Sequence, residues 1–219
     1  MSTKSGLAAI LVLWIAAGAP CLAQEPSAGS LDRRVSDFLE KMRSGWRDMN
    51  VPRADGQLLH DIIVKNKYTR ALELGTSTGH SGIWIAWALS KTGGRLVTVE
   101  IDPERHKEAV GHFQDAGLGP YIDARLADAH KLVEELPGPF DFVFIDADKG
   151  WYINYAKALI PKLTEGGCIA AHNVSASRWG RRGRGGSGDY YQYMLEQPGL
   201  ATSILPESQG GLAVSYRKK

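Results

Sequence analysis

The chain has 219 residues, 43% of them hydrophobic and 23% charged, enough to bury a core without disulfide or metal staples. Its 26 basic and 24 acidic side chains leave a formal charge of +2, so no overall field argues for nucleic acid or a membrane surface as partner. The two cysteines, Cys21 and Cys168, give no disulfide framework, and no internal repeat is visible.

At the amino terminus Lys4 precedes an apolar run, Leu7–Ala17, and a small-residue site, Cys21-Leu22-Ala23. This pattern predicts a secretory signal peptide over 1–23, cut after Ala23 and too short for a comfortable membrane span. Pro20 argues against a lipidated Cys21. The protein is therefore expected to be exported, periplasmic or secreted; an uncleaved, membrane-anchored leader is the alternative. Lys4 on one flank and Arg33 and Arg34 on the other leave its orientation open.

A polar linker, Gln24–Ser30, leads to predicted helices over Leu31–Arg43 and Ala54–Lys65, which together occupy 24–69. The remainder, 70–219, alternates strands and helices. Strands are predicted at Ala71–Leu74, Leu96–Glu100, Ile122–Leu126, Phe140–Ile145 and Cys168–Ala171. Helices are predicted at Ser81–Leu89, Pro103–Ala116, Ala129–Leu136 and Tyr152–Leu163, with Pro103 in a first turn and Gly117 as a stop. Continuous apolar strands alternating with helices argue an α/β fold with a buried parallel sheet. Two last strands, Thr202–Leu205 and Leu212–Tyr216, joined by Pro206–Gly211, predict an antiparallel end.

The segment ALELGTSTG (71–79) followed by LVTVE (96–100) reads as a βαβ unit with a nucleotide site at its first turn. Gly75 and Gly79 permit a tight turn and close backbone approach. Glu100, about 25 residues beyond Gly75, stands where a carboxylate can accept ribose hydroxyl protons. A dinucleotide turn would want glycine where Ser77 stands. Glu73 would repel a pyrophosphate but suits a cationic ligand, and S-adenosylmethionine is cationic and carries no phosphate.

These segments resemble the class I S-adenosylmethionine-dependent O-methyltransferases, in particular the catechol and caffeoyl-CoA group. The resemblance runs from about Trp46 to the C-terminus. MNVPRADGQLLHDII (49–63) matches the helix entry over the cofactor, and ELGTSTGHSGIWIAWAL (73–89) with VTVEIDPE (97–104) matches the cofactor motifs. FDFVFIDADKGWYINY (140–155) with GGCIAAHNV (166–174) matches the metal and substrate motifs. The implied fold is Rossmann-like: a seven-stranded, mostly parallel sheet with an antiparallel last strand and helices on both faces. The implied cofactor contacts are Met49, Val51, Glu73, Gly75, Thr76, Ser81, Glu100, Ile101, Asp128, Ala129 and Asp146. For Asp128, capping the next helix is an equal alternative. Trp84 and Trp87, at i and i+3, read as one packed helix face.

The resemblance implies chemistry at the ends of the fourth and fifth strands. A phenol titrates near 10, and a divalent metal stabilises its anion while gathering two adjacent oxygens. Asp146, His172 and Asn173 match the metal ligands and Lys149 the general base, with Asp148 touching substrate or orienting Lys149. The family usually has Asp where this chain has His172. A carboxylate suits magnesium, whereas imidazole suits manganese or softer ions. Three readings follow: His172 as ligand to such an ion, as base of a metal-independent enzyme, or as a bystander.

The expected acceptor is a small aromatic diol. Arg178, Arg181, Arg182 and Arg184, in the loop 173–189, either recruit an anionic acceptor or are merely solvated. Trp151, Trp179, Tyr190 and Tyr191 are candidate flat walls for a ring or ordinary packing residues. The family resemblance allows a monomer or a homodimer. A carrier or sensor retaining the cofactor pocket is the non-enzymatic alternative.

Overall fold

The computed structural model describes residues 28–46, 49–175 and 187–219. The expected leader, Trp179 and the four loop arginines lie outside them. Two helices, α1 (Ala28–Lys41) and α2 (Arg53–Asn66), precede β1 (Arg70–Leu74), α3 (His80–Thr92), β2 (Arg95–Glu100) and α4 (Pro103–Asp115). Then come β3 (Ile122–Leu126), α5 (Ala129–Glu135), β4 (Phe140–Ile145), α6 (Tyr152–Leu159) and β5 (Leu163–Ala171). The chain ends with α7 (Ser187–Leu195), β6 (Leu200–Ile204) and β7 (Ala213–Arg217). One seven-stranded sheet has the order β3-β2-β1-β4-β5-β7-β6, with β7 antiparallel to both neighbours and the other six strands running one way. This is the fold class the sequence predicts.

Strand side chains alternate between two cores, the reason these strands read as unbroken apolar runs. Ala71, Phe142 and Phe144 face a core made with α1 to α4, where Val35, Leu59, Trp84 and Phe113 are buried. Leu72, Val143 and Ile145 face the opposite core, built with Val133, Tyr155, Leu159 and Met194 of α5, α6 and α7. Trp84 and Trp87 pack as one helix face, their rings 5.5 Å apart. Asp102 caps α4 by accepting from the N–H groups of Glu104 and Arg105, ahead of Pro103.

Several elements depart from expectation. Helix α1 begins at Ala28, inside the expected Gln24–Ser30 linker, and α3 runs on to Thr92. The helix predicted to Leu163 stops at Leu159, because Pro161 cannot continue the hydrogen-bond ladder, and a single tight turn, Ile160–Lys162, follows. Strand β5 starts at Leu163, five residues early, its first half disguised by the polar TEGG stretch. Helix α7 was not predicted; Tyr190 and Met194, one turn apart, bury its inner face.

Strand order reverses at β1, which pairs with β2 on one side and β4 on the other. A crevice outside the carboxyl ends of the strands is expected at such a point.

Candidate functional site

A cavity of about 570 Å³ opens at that switch point. Its floor is the turn after β1, where the N–H groups of Gly75 and Thr76 both donate to the Val99 carbonyl. Gly75 has φ +93°, and a Cβ there would lie 2.7 Å from the Asp146 carbonyl oxygen. The glycine therefore lets the exit of β1 lie against the exit of β4. The space opposite Gly75, expected to serve a ligand, is thus taken by backbone.

Met49, Gly75, Glu100, Ile101, Asp128, Ala129 and Asp146, all expected at the cofactor, line the cavity. Val51, Glu73, Thr76 and Ser81 do not; they sit behind its wall. Val51 is core, its carbonyl bonded to His80 Nδ1 at 2.9 Å. Glu73 is fully buried, accepting from Thr98 Oγ1 at 2.6 Å and from Ser81, while Thr76 Oγ1 bonds Thr98 Oγ1. Burial, with Asp146 and Glu100 nearby, pushes the Glu73 carboxyl up to about 7 against these hydrogen bonds. Its Oε1 has no hydrogen-bond partner among the described residues.

Glu100 is held in place by backbone. Its Oε2 accepts from Ser77 N at 2.7 Å, and its Oε1 from Ile101 N and Asp102 N at 3.1 and 3.0 Å. Asp128 caps α5 by accepting from His130 N at 3.0 Å, so the capping alternative is realised at a residue that also faces the cavity. The His130 ring stacks on Trp151, centroids 4.0 Å apart. Asp148 bonds Gly150 N and lies 3.4 Å from His130 Nε2, and so orients His130; the expectation that it orients Lys149 gains no contact. Tyr190 is buried edge-on to Tyr152 and Tyr191 packs against the same core, so neither is an acceptor wall.

The polar cluster forms where β4 and β5 end side by side, with Lys149, His172 and Asn173 lining the same cavity as Asp146. Lys149 Nζ bonds Asp146 Oδ1 and donates to the Tyr152 hydroxyl at 2.9 Å. Tyr152 in turn donates to the His172 carbonyl at 3.1 Å. His172 Nε2 lies 2.9 Å from Asp55 Oδ2, and Nδ1 lies 3.3 Å from Asp146 Oδ2. Burial alone would push this imidazole down, but hydrogen bonds and attraction from Asp146 and Asp55 raise it to about 9. Asp55 is itself fully buried. Burial raises its carboxyl, yet hydrogen bonds from His172, Gln209 N and Gly210 N hold it below the usual range.

This donor set does not fit a divalent metal. Ionised carboxylates only accept hydrogen bonds, so both ring nitrogens of His172 must donate and neither keeps a lone pair for an ion. Held between these two carboxylates, the ring also has no lone pair with which to act as a base. Asp146 meets cations at both oxygens, and Asn173 stands exposed at φ +57°. Among the described residues no group of three His, Cys, Asp or Glu is arranged to hold a metal.

Sequence reasoning missed Asp55, Tyr152 and Gly210. Asp55 stands in the first turn of α2, and its partners at Gln209 and Gly210 lie more than 150 residues away, so no local pattern marks it. A Cβ on Gly210 would fall 2.1 Å from His172 Nε2 and 2.7 Å from Asp55 Oδ2. Gly210→Ala should therefore cost about 1–3 kcal/mol by overpacking, seen as a lower melting temperature. Unchanged melting would mean the imidazole does not occupy this place.

Comparison with known proteins gives a consistent result. A family profile described as O-methyltransferase matches residues 31–179. A catechol O-methyltransferase from Niastella koreensis is 38% identical over 161 residues, covering 66% of this chain and 72% of that protein. Caffeoyl-CoA O-methyltransferase 1 from Eucalyptus globulus is 32% identical over 134 residues, 59% of this chain and 54% of its own length. The chain thus spans only about half of the latter. The O-methyltransferase from Bacillus cereus, solved in complex with SAH, superposes with a TM-score of 0.69 over 90% of this chain and 94% of its own, at 24% identity, which supports the fold.

Proposed function

The chain belongs to the O-methyltransferase family, and from this premise we propose that it moves the methyl group of S-adenosylmethionine to a hydroxyl of a small aromatic, catechol-like acceptor. The observation that carries the reading is convergence: the β1 turn, the Glu100 carboxylate and the Lys149–Asp146 pair open on one cavity. Glu100 and Asp128 on its wall suit a cationic nucleoside ligand. The unpartnered Oε1 of Glu73, just behind that wall, adds to this fit.

When bound, the donor supplies a sulfonium methyl that an oxyanion takes in line, leaving a neutral thioether. Glu100 would hold the ribose, and Gly75, Met49 and Ile101 would enclose the nucleoside. The Lys149 ammonium, just beyond β4, must first shed a proton to solvent, and Nζ then accepts the acceptor's hydroxyl proton. Asp146 and Tyr152 fix Nζ in place and use two of its three hydrogen-bond positions. No step here passes through a metal, since His172 is not free to ligate one.

Isothermal calorimetry with S-adenosylmethionine, and transfer of a labelled methyl group to a panel of catechols and monophenols, test the proposal. Binding without turnover on any acceptor would favour a carrier. Glu100→Gln replaces one carboxylate oxygen by an NH2 group that can only donate, and should weaken cofactor binding roughly tenfold or more. Unaltered affinity would remove Glu100 from the site. The leader pattern over 1–23 supports export, and N-terminal sequencing of the mature protein should begin at Gln24; an intact Met1 would refute cleavage.

A further inference from the structure

Two carboxylates, Asp55 and Asp146, and two cations, His172 and Lys149, form one chain of contacts at the ends of β4 and β5. From these contacts we propose that the His172 imidazolium, clamped between Asp55 and Asp146, is a built-in cation that stands in place of a divalent metal, so that methyl transfer runs without one and Asp55 serves as a positioning residue. The inference rests on the methyltransferase reading above.

Charge balance is the first argument. The four groups neutralise one another, so a dication would add uncompensated charge beside a buried pair, Asp55 being 0% and the His172 side chain 5% exposed. With a carboxylate at position 172 the same cluster would carry two net negative charges, the complement of a divalent ion. Shape is the second. The turn before β7 is moulded to the pair: Gln209 N and Gly210 N both donate to Asp55 at 2.8 Å, and Gly210 leaves room for the ring only because it has no side chain. Connectivity is the third. Asp55 orients His172, His172 holds one oxygen of Asp146, and the other oxygen holds Lys149. Tyr152 links the His172 carbonyl to Lys149 a second time. Displacing the imidazole would therefore misplace the base.

Full-length protein treated with excess EDTA is expected to keep its full activity and to leave the electron-paramagnetic-resonance signal of free Mn²⁺ undiminished on titration. Nitrogen-resolved NMR should show a proton on both ring nitrogens of His172. His172→Asp should bind Mn²⁺, lose at least about tenfold of its activity in EDTA, and regain it with Mn²⁺. Asp55→Asn should lower kcat roughly 10- to 100-fold by misplacing the base, leave cofactor affinity unchanged, and shift the Nε2–H resonance upfield. Should either variant fail to fold, the wild-type Mn²⁺ titration and NMR spectrum still decide. Wild-type activity abolished by EDTA and restored by Mg²⁺ or Mn²⁺, Mn²⁺ uptake by the wild type, or a singly protonated ring would each overturn the inference. If no acceptor is methylated under any condition, the functional reading fails, while the Mn²⁺ and NMR results still decide the bridge.

Discussion

Replacing Lys149 by Met is expected to lower kcat about 10²- to 10⁴-fold while leaving S-adenosylmethionine affinity unchanged. The methionine keeps most of the apolar stem and removes only the amine. Of the residues placed at the cofactor only Asp146 touches Nζ, and its other oxygen keeps its contact with His172 when the amine is removed. Loss of the base should therefore appear in kcat alone, because an acceptor hydroxyl titrating near 10 is a poor nucleophile at neutral pH until its proton is removed. Single-turnover kinetics beside calorimetry separates the two quantities. A variant within tenfold of wild type would take the proton-accepting role away from Lys149, whereas equal losses in binding and turnover would place it in the cofactor cradle.

Folding stability should fall by about 3 kcal/mol as pH rises from 6.5 to 9, lowering the melting temperature by roughly 5–10 °C. His172 titrates at about 9 in the folded protein against 6.5 in the unfolded chain. The native state therefore holds the extra proton between those values. Its contribution is complete below 6.5 and is lost as pH climbs through 9. At lower pH two other buried groups oppose each other. Glu73, raised from 4.5 to about 7, makes stability fall with pH across that interval. His80, lowered from 6.5 to about 4 by burial, makes it rise between 4 and 6.5. Their effects nearly cancel where they overlap, leaving His172 to dominate above. Cys168, pushed up to about 12 by burial, continues the decline beyond pH 9. Melting curves for the wild type and His172→Gln check this: the slope should be steep in the first and shallow in the second. A flat wild-type profile between 6.5 and 9 would mean the imidazole is neutral in the folded protein.

Much of the frame was legible because it is encoded locally. Strands β3 and β4 fall where predicted, and β1 and β2 within one residue, since a buried strand needs an apolar run bounded by turn residues. Asp102-Pro103 marked the start of α4 by capping chemistry alone. Local pattern misled where polarity and burial part company. The TEGG stretch looks like a loop yet begins β5, and Glu73 looks like a ligand contact yet lies behind the wall. Glu73 and the glycine turn share one motif, and the spacing of a motif does not reveal which member faces inward.

The sequence by itself determined the α/β frame, the switch-point crevice and the meeting of Gly75, Glu100, Asp146 and Lys149 around it. All four stand at the carboxyl ends of neighbouring parallel strands, and that placement follows from strand order. Only the tertiary structure decided the state of His172. Its charge depends on Asp55 and on the turn at Gly210, far apart in the chain and joined by folding alone. Burial alone favours the neutral form of a titrating group, and charged or hydrogen-bonding neighbours can reverse that; a sequence shows the group without its neighbours.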